Sequence, residues 1–256
     1  MAVAFRSAAT TVTTGAGANA CPTIAKPAGL ADGDLVVVIL ACGQTGGTYN
    51  TGTFNTPTGW TYVDHDESVW GAHYLAVFAR KVPSAGSEPT WNGWTFTNAG
   101  ATEQAWSCVA LAFSGAADPA DVAIAKAQTS PASTTHTTPS VTVADDDSTV
   151  LAVVVGERDG SYTWSTLTER SDASGTGVSS AVRVTTTTAT IDQNAGTYNP
   201  SDPTYSQSRR AMAATLAIPP AAAPSASPLH VWDGAAWADA SANVWDGSAW
   251  VAATVS

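Results

Sequence analysis

This sequence is poor in charge, and the charge it has is mainly negative. Charged residues make up 12% of its 256 residues, and the net charge is −11. That share is about half of what a typical soluble domain carries. An acidic surface repels phosphate backbones and anionic lipids, so we expect neither nucleic acid nor a membrane as a partner.

Long hydrophobic runs are also missing. The longest, Leu35–Cys42, has the length of a strand and is far too short to span a membrane. The first ten residues, MAVAFRSAAT, contain no apolar stretch of the kind found in signal peptides. We therefore expect a protein that is made and folded in a cytoplasm.

Cysteine is scarce, and its spacing matches no metal motif. The chain has three cysteines, at Cys21, Cys42 and Cys108. Cys42 and Cys108 lie inside apolar strand patterns. Free cysteine is among the most buried residue types, so we expect all three to act as small hydrophobic side chains.

Recognisable catalytic and cofactor motifs are absent as well. The chain has no G-x-S-x-G, no H-E-x-x-H, no Walker loop and no Rossmann fingerprint. The acidic stretch Asp64–Glu67 could bind a hard cation through its oxygens. A solvated loop tip after a strand is the more common role for such a stretch, and we favour it. We expect no enzymatic activity, no metal and no cofactor.

What the sequence does contain is a succession of short strands. Apolar segments rich in Val, Thr and aromatic residues are cut by Gly, Pro, Asn and Asp, which predicts an all-β, antiparallel β-sandwich of jelly-roll-like type. The predicted strands are Ala2–Arg6, Thr23–Lys26, Leu35–Cys42, Thr61–His65, Tyr74–Lys81, Trp94–Thr97, Ala105–Phe113, Val141–Val143, Thr149–Val155, Thr163–Glu169, Val178–Thr186 and Met212–Ile218.

The strands fall into two similar groups. ADGDLVVVILACG at Ala31–Gly43 matches ADDDSTVLAVVVG at Ala144–Gly156, and EPTW at Glu88–Trp91 parallels DPTY at Asp202–Tyr205. We interpret this as an internal duplication, with halves of about 1–116 and 140–218 packed as one sandwich over residues 1–218. Two separate small domains, joined near Gly115–Pro139, are the alternative.

The end of the chain differs from the rest. An Ala/Pro-rich linker, residues 219–228, leads to a tail at 229–256 in which V-W-D-G-x-A-W occurs twice, thirteen residues apart. Asp-Gly between apolar flanks predicts a hairpin with a two-residue turn, in which Trp232 faces Ala235 and His230 faces Trp237. Alternation then places both tryptophans of each copy on one face. The four indoles concerned are Trp232, Trp237, Trp245 and Trp250.

So small a hairpin is marginal in water, and its indoles need a cover. The cover could be the chain's own sandwich, the tails of neighbouring subunits, another protein or a sugar. We favour packing within an assembly. Two further tryptophans, Trp91 and Trp94 in EPTWNGWTF, would stack on glycans if exposed, or else fill the core or its rim.

Several segments together resemble virion surface proteins of tailed bacteriophages. They are AFRSAATTVTT near the start, KPAGLADGDLVVVIL (Lys26–Leu40), PTGWTYV (Pro57–Val63), AVFARKV (Ala76–Val82) and the W-D-G-x-A-W pair. Proteins of this group are minor tail or tail-fibre proteins, capsid decorations and head spikes.

The resemblance implies a structural protein on the outside of a phage particle, assembled in the host cytoplasm. Other virion proteins would be its partners, and a homo-oligomer, with a trimer as the first guess, would be its state. Host attachment through a surface glycan, as in a lectin-like recognition module, is the alternative function. The shared motifs are structural, so the resemblance implies no catalytic residue.

Overall fold

The computed structural model describes residues 1–13, 21–46, 53–68, 73–97, 101–158, 160–175, 183–222, 229–232, 237–240, 243–245 and 250–252. The chain divides into two compact units, Met1–Ala221 and Ala222–Ser256. Both consist of antiparallel strands, which confirms the predicted all-β class. None of the described helices is long and apolar enough to cross a membrane.

The first sheet of the large unit comes from the N-terminal part of the chain. Its five strands are arranged in the order β1-β7-β2-β5-β4. Two short strands, β3 and β6, pair with each other outside it. The bounds are β1 (Ala4–Thr13), β2 (Leu35–Gly46), β3 (Thr53–Phe54), β4 (Thr61–Glu67), β5 (His73–Lys81), β6 (Phe96–Thr97) and β7 (Ala101–Ser114).

The second sheet follows in the chain. Its long strands are arranged in the order β8-β15-β10-β13-β12, and β11 pairs with the start of β15. The short strands β9 and β14 pair separately. The bounds are β8 (Ala123–Thr135), β9 (Val141–Val143), β10 (Ser148–Glu157), β11 (Tyr162–Thr163), β12 (Thr168–Gly175), β13 (Val184–Gln193), β14 (Gly196–Tyr198) and β15 (Thr204–Ile218).

The two sheets share one strand order. Each sheet has five long strands, which we number here from first to fifth in chain order. In both sheets the first strand lies at one edge, and the fifth, second, fourth and third follow it across the sheet. The matching segments at Ala31–Gly43 and Ala144–Gly156 lead into and form the central strands β2 and β10. A duplicated sequence would produce this arrangement, and the duplication itself stays a prediction.

The sheets pack face to face around a shared core. Strand β1 packs against β12, and β8 packs against β4, so the first strand of each half lies over the third strand of the other. At one edge the Arg170 guanidinium lies 4.2 Å from the ring centre of Phe5. At the opposite edge Lys126 Nζ lies 3.0 Å from Asp64 Oδ2. An approximate two-fold relation between the halves would produce reciprocal contacts of this kind.

The central strands are buried on both faces. In β2, Leu35, Val37 and Ile39 face the shared core, and the residues between them face an aromatic layer on the outside of the sheet. The corresponding outer face of β10 is covered by Tyr162 and Trp164. Burial on both faces explains why these strands form continuous apolar runs instead of alternating patterns.

Strand β8 was not predicted, because it lies in the segment that we considered as a linker. It is the edge strand of the second sheet, and most of its residues are partly or fully exposed. An edge strand with no buried face carries no hydrophobic alternation for sequence reasoning to detect. The predicted strand at Thr163–Glu169 is divided between β11 and β12, and that at Val178–Thr186 lies partly outside the described residues.

Strand β13 places a row of threonines in the interior. Thr185, Thr186, Thr187 and Thr188 are all fully buried. Each hydroxyl has a partner: Thr186 donates to the Ser107 carbonyl of the other sheet (3.1 Å), and Thr187 accepts from Trp164 Nε1 (3.0 Å). A β-branched side chain suits a strand, and a paired hydroxyl avoids the cost of burying a polar group.

Replacing Thr187 tests this account. Thr187→Val should lower the free energy of unfolding by about 1–3 kcal/mol, because the buried Trp164 Nε1 loses its acceptor. Thr187→Ser keeps the hydroxyl and loses only a methyl group, at about 0.8 kcal/mol. Urea denaturation of both variants measures the difference, and a T187V protein as stable as T187S would contradict the account.

Candidate functional site

Trp91 and Trp94 belong to the aromatic layer outside the first sheet. Trp91 forms a β-bridge with Ile24, and its Nε1 donates to Glu88 Oε2 at 2.9 Å. Both indoles pack against Trp60, with ring centres 5.5 Å away for Trp91 and 4.8 Å for Trp94. Each is only 1% exposed. The exposure that glycan stacking would require is therefore missing, and both side chains fill the core on the outer side of the first sheet, as in the alternative interpretation.

This layer exists because the outer face of the first sheet needs its own cover. Trp60, Trp91, Trp94 and Phe96 shield the outward residues of β2, β5 and β7. The buried Glu88 carboxylate also accepts from Arg80 Nη2 at 3.0 Å, so this charge is paired. Among the described residues of the layer, Trp91 and Trp94 are buried and contribute to the packing of the sheet.

The tail consists of two short hairpins with identical register. Strand β16 (Leu229–Trp232) pairs with β17 (Trp237–Ala240), and β18 (Asn243–Trp245) pairs with β19 (Trp250–Ala252). In the first hairpin Trp232 lies opposite Trp237. In the second, Trp245 lies opposite Trp250.

This register corrects the predicted two-residue turn. Four residues, 233–236, separate the innermost pair of the first hairpin, and Trp232 pairs with Trp237 instead of Ala235. Cross-strand aromatic pairs are more favourable than pairs with alanine, which explains the preference. The predicted common face of the two indoles in each hairpin lies outside the residues whose side chains the structure describes.

The acidic stretch Asp64–Glu67 is part of edge strand β4, and the prediction of a loop tip is wrong. Its carboxylates face side chains of β8 in the other sheet: Gln128 Nε2 donates to Asp66 Oδ1 at 3.0 Å, and Lys126 pairs with Asp64. Burial raises the pKa of Asp66, against the lowering effect of the hydrogen bonds that it accepts from the Glu67 N–H and from Gln128. The stretch thus joins two sheet edges. Among the described residues, no group of three or more His, Cys, Asp or Glu could hold a metal ion.

The three cysteines meet beside the aromatic layer, although they are far apart in sequence. Cys42 and Cys108 are fully buried, Cys21 is partly buried, and none is in a disulfide. Burial raises the pKa of the Cys21 thiol, and its hydrogen bond with Cys108 raises it further. Burial also raises the pKa of Cys42, with a smaller contribution from Cys108. The predicted role as buried hydrophobic side chains fits this geometry.

Comparison with protein-family models, with curated proteins and with solved structures gave no match.

The cysteine cluster predicts low thiol reactivity in the native protein. The thiolate is the reactive form, and the raised pKa of Cys21 and Cys42 keeps both thiols protonated. Labelling with an aromatic disulfide reagent should therefore stay slow up to about pH 9, a pH at which a free thiol is largely ionised. In denaturant all three cysteines should react.

A Thr58→Cys variant is the matched control, because position 58 is exposed. Its added thiol should react rapidly in the native state, with a rate that rises with pH. Native labelling of Cys42 at the rate of the control thiol would contradict the buried cluster.

Proposed function

We propose that this chain is a non-enzymatic structural protein on the exterior of a tailed-phage particle, either a minor tail or fibre protein or a capsid decoration. Its work is assembly and surface display. The observation that carries the proposal is the second compact unit, in which two copies of one tryptophan hairpin repeat the same register.

The hairpins are too small to be stable alone. Their strands have three or four residues each, and an isolated two-stranded hairpin is marginal in water. Trp is enriched at interfaces, and paired tryptophans supply a large apolar area. A protein surface that covers them, from neighbouring copies or from another virion protein, supplies the missing stability. We accordingly propose that the tail is an assembly device in a homo-oligomer, with a trimer as the first state to test.

The body suits a display role. Its two sheets are covered on their inner and outer faces, which gives a rigid module. Its strongly acidic character keeps copies at high local density from adhering to one another or to nucleic acid. Assembly in the host cytoplasm and residence in the virion follow from this role.

A glycan-binding role is the second candidate, and one observation favours it. Tyr62 is 39% exposed, and its ring borders a cavity of about 200 Å³ with Phe54 and His65. A tyrosine ring of this kind can stack on a sugar. Host attachment would then use Tyr62 instead of Trp91 and Trp94.

Tail variants test the assembly role. Removing residues 229–256, or combining Trp232→Ala with Trp237→Ala, should reduce the oligomeric state measured by light scattering and abolish incorporation into particles. The melting of the body should be unchanged, because it forms a separate compact unit. Asn243→Ala is the matched control, since it alters the same unit without removing an indole. Normal assembly of the truncated chain would contradict the role.

Particle location tests the function as a whole. Immunogold electron microscopy with antibody against residues 1–218 should label intact phage particles. Label at the tail end identifies a tail or fibre protein, and label spread over the head identifies a capsid decoration. Particles without label would overturn the virion proposal and leave glycan binding by a soluble protein as the remaining candidate.

A further inference from the structure

Positive charge is concentrated at one place in this acidic protein. The chain has ten Lys and Arg residues and a net charge of −11. Three of the ten, Arg158, Arg209 and Arg210, line one cavity of about 460 Å³. Glu157, Ser130 and Ser208 complete the polar part of its wall.

The cavity forms where edge strand β8 bulges away from β15. Arg209 pairs with Ser133 and Ala211 pairs with Thr129, so three residues of β8 lie opposite one residue of β15. The buried His136 fixes both sides of the bulge, because its Nε2 lies 3.0 Å from the Arg209 carbonyl and 3.1 Å from the Ser133 carbonyl. A bulge of this kind redirects side chains and interrupts pairing, which opens the space.

Arg158 occupies the wall in a backbone conformation that disfavours arginine. Its φ is +77°, in the left-handed region. Three hydrogen bonds hold it there: its N–H donates to the Arg183 carbonyl, and its carbonyl accepts from Thr185 Oγ1 and Tyr205 Oη, at 2.8, 2.8 and 3.0 Å. Glycine would adopt this conformation at lower cost, so arginine at this point indicates a role for its side chain.

The cavity carries more positive than negative charge. Glu157 pairs with Arg210 through two contacts, Oε1 with Nη2 at 2.8 Å and Oε2 with Nε at 3.1 Å. Arg209 Nη1 and Nη2 donate to neutral oxygens of Ser208 and Gln207, and its buried Nε has no hydrogen-bond partner within the described residues. No carboxylate of the described chain pairs with Arg158, and Asp159 lies outside the described residues.

The equivalent place in the first sheet shows that packing does not require these charges. Gln44 and Glu157 each follow the glycine that closes one of the two matching segments. Gln44 lies opposite Gln104, and both are buried amides. The second sheet therefore differs from the first at this place in its charge. That charge comes from the Glu157–Arg210 pair and the two further arginines, and the packing of the strands does not require it.

We propose that this cavity binds an anionic saccharide, a sugar unit that carries a phosphate or carboxylate group. Guanidinium groups present a planar fork of donors that matches the oxygens of both anions. The cavity is larger than an isolated phosphate needs, and the hydroxyls of Ser130 and Ser208 suit the hydroxyls of a sugar. Among the described residues that line it there is no aromatic ring on which a nucleobase could stack. The proposal does not depend on the virion role.

Calorimetric titration of the full chain tests the site, with glucose 1-phosphate, inorganic phosphate and glucose as probes. Glucose 1-phosphate should bind most tightly, inorganic phosphate more weakly and glucose not measurably, and added salt should weaken the binding of both anions. Arg158→Asn, in which asparagine tolerates the left-handed backbone, and Arg209→Gln should each weaken glucose 1-phosphate binding about tenfold or more.

Lys26→Gln is the matched control, because it removes one positive charge from an exposed side chain outside the cavity. It should leave the affinity unchanged, and thermal melting should show that both arginine variants fold. The site is overturned if no anion binds at millimolar concentration, or if K26Q weakens binding as much as R158N. Equal affinity for inorganic phosphate and glucose 1-phosphate would overturn its assignment to a saccharide.

Discussion

The two central strands, β2 and β10, are buried on both faces, and the rest of the large unit follows from that constraint. A sheet with two apolar faces needs two covers. The inner faces of the two sheets cover each other and form the shared core. The outer faces are covered by short strands and loops, which explains why Trp60, Trp91 and Trp94 lie in a layer above the first sheet. Tryptophans that would otherwise suggest a binding surface are thus used to complete the fold.

Double burial also decides where polar groups can lie. Hydrogen bonds offset the cost of burying polar groups, as they do for the threonine hydroxyls of β13 and for Ser107, whose Oγ donates to the Ala173 carbonyl across the sandwich at 2.7 Å. Gly175 permits that close approach, because a side chain there would collide with the Trp106 backbone. Charged groups either lie at the sheet edges, where β4 meets β8 and where β8 bulges from β15, or are paired, as Glu88 is with Arg80 under the aromatic layer. The proposed anion site lies at such an edge.

Part of the candidate sites could be anticipated from sequence, and the reasons for the failures differ. The tail hairpins were predictable, because Asp-Gly between apolar flanks is a local signal. The length of their turns was not predictable, because cross-strand pairing of Trp232 with Trp237 outweighs the tighter turn. The burial of Trp91 and Trp94 depends on a sheet that is formed by other residues. The arginine cavity could be suspected only from the adjacent pair Arg209–Arg210 in a chain with few cations, since Arg158 joins it through strand pairing.

The sequence by itself determined the all-β class, most of the long strands and the repeated tail, because hydrophobic periodicity and turn residues act over a few neighbouring positions. The tertiary structure decided that Cys21, Cys42 and Cys108 meet, that β8 completes the second sheet, and that three arginines share one cavity. These arrangements depend on antiparallel pairing and face-to-face packing between residues many positions apart. No local pattern encodes such contacts, because their free energy arises only when both partners are already placed by the rest of the fold.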